Sequence, residues 1–248
     1  MIKIYDAPNH LRILLEQDPP PNIMRLTLAQ VMSETSIWVW DGPNALAKRR
    51  EVFPGYKVGR KAPDDSVYKM MDLFRELFNF TKAVQIRVPG YEADDVIAKL
   101  VAQISGNVPI QIISSDKDML QLTALPGVSV TAKMPAGVMP EELRLYKTLC
   151  GDTSDKIPGI PGFGPKAWEK CDKGVWLDII AYNGLWRVRE LKLSDSKKDW
   201  IVQNIELLRS YWDIIGFYDV PMDLINFHTT AGLNDFARAD ALLKSFLQ

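Results

Sequence analysis

The chain has 248 residues, 47% of them hydrophobic and 25% charged, and a net charge of −1. That length and balance describe a globular protein of one large or two small domains, and they exclude disordered and fibrous classes. No apolar run approaches the ~20 residues of a membrane span. The first residues, Met1-Ile2-Lys3-Ile4-Tyr5-Asp6, lack the apolar core of a signal peptide, so a cytoplasmic location is the default expectation. Two cysteines (Cys150 and Cys171) and two histidines (His10 and His228) are too few for a disulfide framework, a cysteine zinc site or a histidine-rich metal centre.

Residues 1–135 alternate short apolar runs with helical patterns, which predicts an α/β domain around a parallel sheet. The predicted strands are 2–5, 36–40, 84–88, 109–114 and 127–131. Between them, Val67, Met70, Met71, Phe74, Leu77 and Phe78 recur at helical spacing behind an N-cap at Asp64 or Asp65. Ala93, Val96, Ile97, Leu100, Val101 and Ile104 form the stripe of a second amphipathic helix, which reads as core. Residues 141–150 predict a short helix, and a Gly/Pro-dense loop follows from 151 to 165. Helical patterns at 166–171, 174–183, 198–212 and 235–247 fill the tail. A helical domain is therefore expected over residues 136–248.

Acidic residues fall where the apolar runs stop. Asp6, Asp41 and Asp116 each close a predicted strand, Glu92, Asp94 and Asp95 open the second helix, and Asp118 and Asp152 lie in turns. In an open parallel sheet, residues just past the strand ends share one crevice, so carboxylates distant in sequence can meet there. So many carboxylates together repel unless divalent cations neutralise them, and all-oxygen ligands point to magnesium or manganese. With Asp155 the acids number nine, and the remainder of the chain, counted apart from them, is net basic. Those cations are available to phosphates.

Lys48, Arg49, Arg50, Lys57, Arg60 and Lys61 crowd the stretch after Asp41, with Phe53 and Tyr56 interleaved. Cations among aromatics suit a single-stranded phosphate backbone and a stackable base. The loop Gly151-Asp152-Thr153-Ser154-Asp155-Lys156-Ile157-Pro158-Gly159-Ile160-Pro161-Gly162-Phe163-Gly164-Pro165-Lys166 has glycines that admit close backbone approach and a proline suited to a first helical position. Amides there, with Lys166, would hold a phosphodiester without reading sequence.

Gly90-Tyr91-Glu92-Ala93-Asp94-Asp95, Ser115-Asp116-Lys117-Asp118, Tyr56-Lys57-Val58-Gly59-Arg60 and the loop from Gly151 to Lys166 together resemble the 5′-nuclease family. That family includes phage 5′–3′ exonucleases, flap endonucleases and the 5′-nuclease domain of bacterial DNA polymerase I. The resemblance runs from Asp6 to about Lys170. It implies a PIN-like, resolvase-like α/β fold, with a parallel sheet flanked by helices and a C-terminal helix-three-turn-helix domain. Asp6, Asp41, Glu92, Asp94 and Asp116 then correspond to ligands of a first metal. Asp95, Asp118, Asp152 and Asp155 correspond to those completing a second, which would bridge the two domains. Lys57 and Arg60 match a basic pair contacting the scissile phosphate. Arg49, preferred to Arg50, matches a phosphate contact, and Tyr56 an aromatic that stacks on the displaced nucleotide. Gly162, Gly164 and Lys166 match the duplex grip, which in relatives also holds a potassium ion.

The implied activity is 5′–3′ exonuclease or flap endonuclease hydrolysis of DNA during phage or bacterial replication, with two Mg2+ or Mn2+ ions and 5′-phosphate and 3′-hydroxyl products. Asp41 and Asp116 would act in catalysis beside Lys57 and Arg60. The expected partner is duplex DNA with a 5′ flap, nick or 5′ end, with RNA primers a further candidate. A monomer with no membrane partner is expected, in the host cytoplasm if phage-encoded. Departures from the family are Ala7-Pro8 after Asp6, which implies a tighter turn, and Lys156 where asparagine is common. The stretch between Asp6 and Asp41 is short, which argues against accessory helices and a 3′-flap pocket. Rival readings are a single-strand ribonuclease of the PIN class and a non-catalytic module binding branched DNA.

Overall fold

Isoleucine, valine and aromatic residues dominate the predicted strands, as suits strands covered on both faces. The computed structural model describes residues 1–17 and 20–246. Its sheet contains β1 (Ile2–Asp6), β2 (Ile37–Val39), β3 (Val84–Ile86), β4 (Ile110–Ile113), β5 (Val128–Val130) and β6 (Thr229–Ala231), in the order β5-β4-β1-β2-β3-β6. The first five strands pair in parallel, and β6 joins β3 antiparallel. The helices are α1 (Ala7–Gln17), α2 (Pro20–Ser33), α3 (Ala47–Val52), α4 (Asp65–Phe78), α5 (Ala93–Ile104), α6 (Leu143–Cys150), α7 (Pro165–Trp168), α8 (Lys173–Ala181), α9 (Asp195–Gln203), α10 (Ile205–Ile215), α11 (Met222–Phe227) and α12 (Phe236–Phe246).

The chain divides into two compact units. One comprises Met1–Leu46, Lys61–Lys133 and Tyr218–Gln248; the other comprises Ala47–Arg60 and Met134–Phe217. The expected helical domain from residue 136 to the C-terminus is therefore not one body. The segment from Tyr218 returns to the sheet through β6, and Ala47–Arg60 belongs with the helices. β6 reads Thr-Thr-Ala and is exposed throughout, so it carries none of the apolar alternation that marks a strand.

In the sheet unit, Tyr5, Trp38 and Trp40 project into one core with Leu11 and Leu15 of α1, Met24, Leu28 and Val31 of α2, Phe74 and Phe78 of α4, and Ala239 and Leu243 of α12. Tyr5 stacks on Trp38 at 4.1 Å between ring centroids. The indole N–H groups donate to Ser36 and Gln85, so both tryptophans are buried with their polar edges satisfied. The alternate residues Ile4 and Val39 are equally buried, and α5 packs against β1 and β2. α4 starts behind Asp64, whose carboxylate accepts the Ser66 amide at 2.8 Å.

The chain passes from β1 directly into α1 with no residue between them and Pro8 in the first turn, a tight connection after Asp6. One expectation about this first connection fails. The stretch before β2 folds as α1 and α2, although it was expected to be too short for accessory helices.

In the helical unit, α10 packs on α3, α6 and α8. Beyond Trp212, whose carbonyl accepts the Gly216 cap amide, the last carbonyls of α10 lack the partners that the next helical turn would supply. Arg49 Nε donates to Ile214 O and its Nη2 to Gly216 O, both at 3.0 Å, and Arg144 Nε donates to Trp212 O at 2.7 Å. Two guanidinium groups thus satisfy a helix C-terminus, where the helix dipole favours cations. Phe53 meets Tyr211 edge-on at 5.4 Å and anchors the same segment.

Two stability predictions follow from close approaches. A Cβ on Gly42 would stand 1.8 Å from Val88 O, so Gly42→Ala should lower stability by about 1–3 kcal/mol in urea unfolding. Arg49→Ala leaves buried carbonyls unpaired and should cost about 1.5–3 kcal/mol. An unchanged urea midpoint in either variant would contradict its assigned contact.

Candidate metal centre and nucleic-acid surface

Because β1, β2 and β4 run parallel, their C-terminal ends face one edge of the sheet. Asp6 ends β1 and is 4% exposed. Its Oδ2 accepts the Ser114 hydroxyl at 2.8 Å, and its Oδ1 accepts the Asn9 amide at 3.3 Å. Burial, and then the neighbouring Asp41 and Asp116 carboxylates, push its pKa up to about 7 against the opposing pull of those hydrogen bonds. The sheet edge therefore brings Asp6, Asp41 and Asp116 within mutual electrostatic reach, as the acid pattern predicts.

Several of the other acids of this unit are held by backbone amides. Asp41 Oδ1 accepts the Ala93 amide at 2.9 Å, so the β2 loop caps the start of α5. Arg87 Nε binds Asp41 O at 3.1 Å and steadies that turn. Glu92 is the N-cap residue of α5 and is buried. Asp95 is 1% exposed; its Oδ2 accepts the Glu92 amide at 3.3 Å and its Oδ1 the Tyr218 amide at 2.8 Å. Asp95 thus caps α5, a structural duty beyond any ligand role. Asp94 is half-buried in the first turn of α5. Asp116 caps a 3-10 turn, Lys117–Ala124, by accepting the Asp118 amide at 2.9 Å, and Asp118 is buried in that turn.

In the helical unit, Asp152 and Asp155 place carboxylate oxygens within 4.8 Å of each other. Burial alone would raise the pKa of Asp152. The Lys147 ammonium at 2.6 Å and the Ser154 hydrogen bonds outweigh it and hold the carboxylate below its usual range. Lys147 is itself buried. The loop around this pair interlocks tightly. Asp152 and Ile157 exchange both backbone hydrogen bonds, and a Cβ on Gly159 would stand 2.4 Å from Gly151 N. Gly162 follows at φ 68°, and Gly164 precedes Pro165 and Lys166 at the start of α7.

The basic stretch sorts into buried and exposed cations. Arg49, the expected phosphate contact, is 3% exposed and has its guanidinium on the carbonyls at the end of α10. Tyr56 is also buried, with Lys57 Nζ 4.8 Å from its ring centroid. The ring expected to stack on a nucleotide is thus enclosed in this structure. Lys57 has φ 53°, uncommon for a side-chain-bearing residue, while Arg60 is exposed. Sequence reasoning missed Asn9, Ser114, Arg87 and Lys147. Asn9 lies three residues after Asp6 and donates its amide to it, and Ser114 lies two before Asp116, accepting that residue's amide while donating its hydroxyl to Asp6, so both could have been suspected.

Hard oxygen donors, buried carboxylates and an Asp6 pKa raised by burial and by its acidic neighbours fit a divalent cation of the magnesium or manganese type.

Comparison with known proteins gives the same direction. A family description, 5′-3′ exonuclease, N-terminal resolvase-like domain, matches residues 22–146, a range holding Asp41, Glu92, Asp94, Asp95, Asp116 and Asp118. DNA polymerase I of Rhizobium leguminosarum is 32% identical over 191 residues, covering 71% of this chain and 18% of the polymerase. Flap endonuclease Xni of Yersinia enterocolitica is 33% identical over 183 residues, covering 66% of this chain and 72% of Xni. The chain thus spans about a fifth of the length of the DNA polymerase I relatives it matches. The crystal structure of the bacteriophage T5 D15 protein with metal ions superposes over 99% of this chain and 98% of that one, with a TM-score of 0.59 at 22% identity, a likeness of fold. With strand-end acids in place and half its length matched, the chain belongs to the 5′-3′ exonuclease family.

Proposed function

We propose that this chain is a divalent-metal-dependent, structure-specific nuclease, which hydrolyses DNA phosphodiesters near 5′ ends as a 5′–3′ exonuclease and flap endonuclease. The observation that carries the reading is the convergence of Asp6, Asp41 and Asp116 on one sheet edge, where burial and then the two neighbouring carboxylates raise the pKa of Asp6 to about 7. Its support is the family itself, whose members include a flap endonuclease and DNA polymerase I.

In this reading Asp6, Asp41, Glu92, Asp94 and Asp116 hold one Mg2+ or Mn2+, and Asp95, Asp118, Asp152 and Asp155 complete a second. When bound, the cations supply an activated water and neutralise charge on the leaving 3′ oxygen. Ser114 and Asn9 orient the Asp6 carboxylate, and the α5 amide orients Asp41. Lys57 and Arg60 stabilise charge on the phosphate oxygens. Arg49 and Tyr56 take no part, because both are buried in structural contacts. Gly162, Gly164 and Lys166 form the helix-three-turn-helix grip on duplex DNA, with a potassium ion in its loop. The substrate is duplex DNA with a 5′ flap, nick or 5′ end, including RNA-primed ends, and the enzyme acts as a monomer on 5′-phosphate-producing cleavage.

The direct test is cleavage of a 5′-labelled flap and a nicked duplex in magnesium, with product lengths resolved on a gel. Asp116→Asn and Lys57→Ala should each lower turnover by about 10²-fold or more while leaving the circular dichroism spectrum unchanged. Wild-type rates from either variant would remove that residue from the mechanism.

Stability should report the same charge crowding. Asp6 has a folded pKa above its ordinary value of 3.8, so its contribution favours folding below about pH 4 and is lost as pH rises through about 7. In chelator the melting temperature should fall between pH 5 and 8, and Asp6→Asn should flatten that fall. Magnesium at pH 8 should raise the wild-type melting temperature more than that of Asp6→Asn. A flat profile for the chelated wild type would contradict the raised pKa of Asp6.

A further inference from the structure

Residues 182–198 of the helical unit carry an aromatic and basic surface to which nothing above assigns a role. A 3-10 turn, Leu185–Glu190, follows α8 and packs on both α8 and α9. Val188 and Leu191 are buried beneath it, so the turn is fixed. Trp186 points outward at 63% exposure. A tryptophan ring carries more apolar surface than almost any other side chain, and leaving it in water forfeits that burial.

The ring is bordered by cations. The guanidinium carbons of Arg187 and Arg189 lie 5.8 and 5.4 Å from its centroid. Arg187 is tied to Asp178 and Glu190, so it braces the turn. Arg189 is exposed, and its carbonyl accepts Lys198 Nζ at 3.3 Å. Lys197, next along α9, has its ammonium 3.6 Å from where a Cβ on Gly162 would stand. A run of positive charge therefore leads from Trp186 to the glycine loop. Between Trp186 and Lys198 the chain holds five cations against two carboxylates, and Arg187 already engages one of the two.

We propose that this surface binds a single-stranded segment of DNA, with one unpaired base stacked on Trp186 and its flanking phosphates on Arg189, Lys197 and Lys198. The chemistry is that of a sequence-tolerant single-strand site: an exposed aromatic face for a base and spaced cations for the backbone. An apolar partner would leave the cations unmatched, and an acidic protein would leave the ring without a stacking partner. The inference rests on the nuclease reading for its biological setting, since a strand running off a gripped duplex supplies unpaired bases. Its binding chemistry stands independently of cleavage.

The test is fluorescence anisotropy of labelled oligo(dT) with the full chain in chelator, where no cleavage occurs. Trp186→Ala should weaken binding about tenfold, as expected for loss of one stacked base, and Trp186→Phe should restore most of it. An oligomer of the same length built from abasic residues should bind wild type and Trp186→Ala equally. Lys197→Ala with Lys198→Ala should weaken both oligomers and flatten the salt dependence, by about 0.7 in log–log slope for each lost phosphate contact. Thermal melts should coincide for the Trp186 variants, because that side chain is at the surface, and the melt of the lysine variant checks that loss of the Lys198–Arg189 contact leaves the unit folded.

Unchanged oligo(dT) affinity in Trp186→Ala would overturn the proposal, as would an equal loss on the abasic oligomer; either result would hand the surface to another class of partner. Flap cleavage by the wild type in magnesium, run in parallel, reports on the nuclease reading alone. A failure there with Trp186-dependent binding intact would sink only that reading.

Discussion

Repulsion among carboxylates at the C-terminal edge of the sheet is the constraint around which the first unit is arranged. A carboxylate 4% exposed is costly in a low-dielectric setting, and Asp6 is placed there with two further acids in reach. Parallel strand order makes this unavoidable, since β1, β2 and β4 all deliver their ends to the same side. The protein holds the acids in place with neutral donors. Ser114, Asn9 and the amide of Ala93 fix oxygens without cancelling their charge. A lysine in their place would have quenched the negative field that a divalent cation needs.

The opposing stabilisation lies one layer away. Tyr5 and Trp38 alternate along their strands with Ile4 and Val39, so each short strand is buried on both faces. Stacked aromatics with satisfied indole donors give this core a rigid floor. Rigidity matters because a ligand set loses affinity when its oxygens wander. The Gly42 turn serves the same end, letting the Asp41 loop press against the Val88 backbone where any side chain would collide.

In the helical unit, cations divide by task. Arg49 and Arg144 close the carbonyl end of α10, and Lys147 pairs with Asp152 in near-complete burial. This explains what the sequence could and could not say. Apolar periodicity exposed β1–β5, α4 and α5 closely, because those elements bury a regular face. α1 and α2 carry the same signal in Ala7-Leu11-Leu15 and Met24-Leu28-Val31, but the prolines between them disguise it. β6 has no signal, since its residues are exposed and its pairing is set by β3. The burial of Arg49 and Tyr56 was not legible, because residue type and spacing show that a cation and a ring are present, while the bonds that bury Arg49 reach the end of α10, some 165 residues away. Asp6, Asp41 and Asp116 were legible because a strand end fixes direction as well as identity.

Backbone strain marks where a cation was worth its cost. Among the described residues, five without a glycine's freedom adopt positive φ: Asn44, Lys57, Lys156, Asn183 and Asn234. Asparagine tolerates this region, so three of the five are unremarkable. The two lysines are not, because glycine would adopt φ 53° or 63° without penalty, whereas lysine gives up about 1 kcal/mol or more. At Lys57 the cost has a visible return. The left-handed turn brings the ammonium over the ring of Tyr56, a ring that burial holds still, and so aims a flexible side chain from a fixed base. The same logic applied to Lys156 ties it to the loop that carries Asp152 and Asp155. A lysine there adds a positive charge to a loop segment that carries two carboxylates in the four preceding residues. The two strained lysines thus belong to the two segments on which the proposed nuclease depends for its phosphate contact and its second metal.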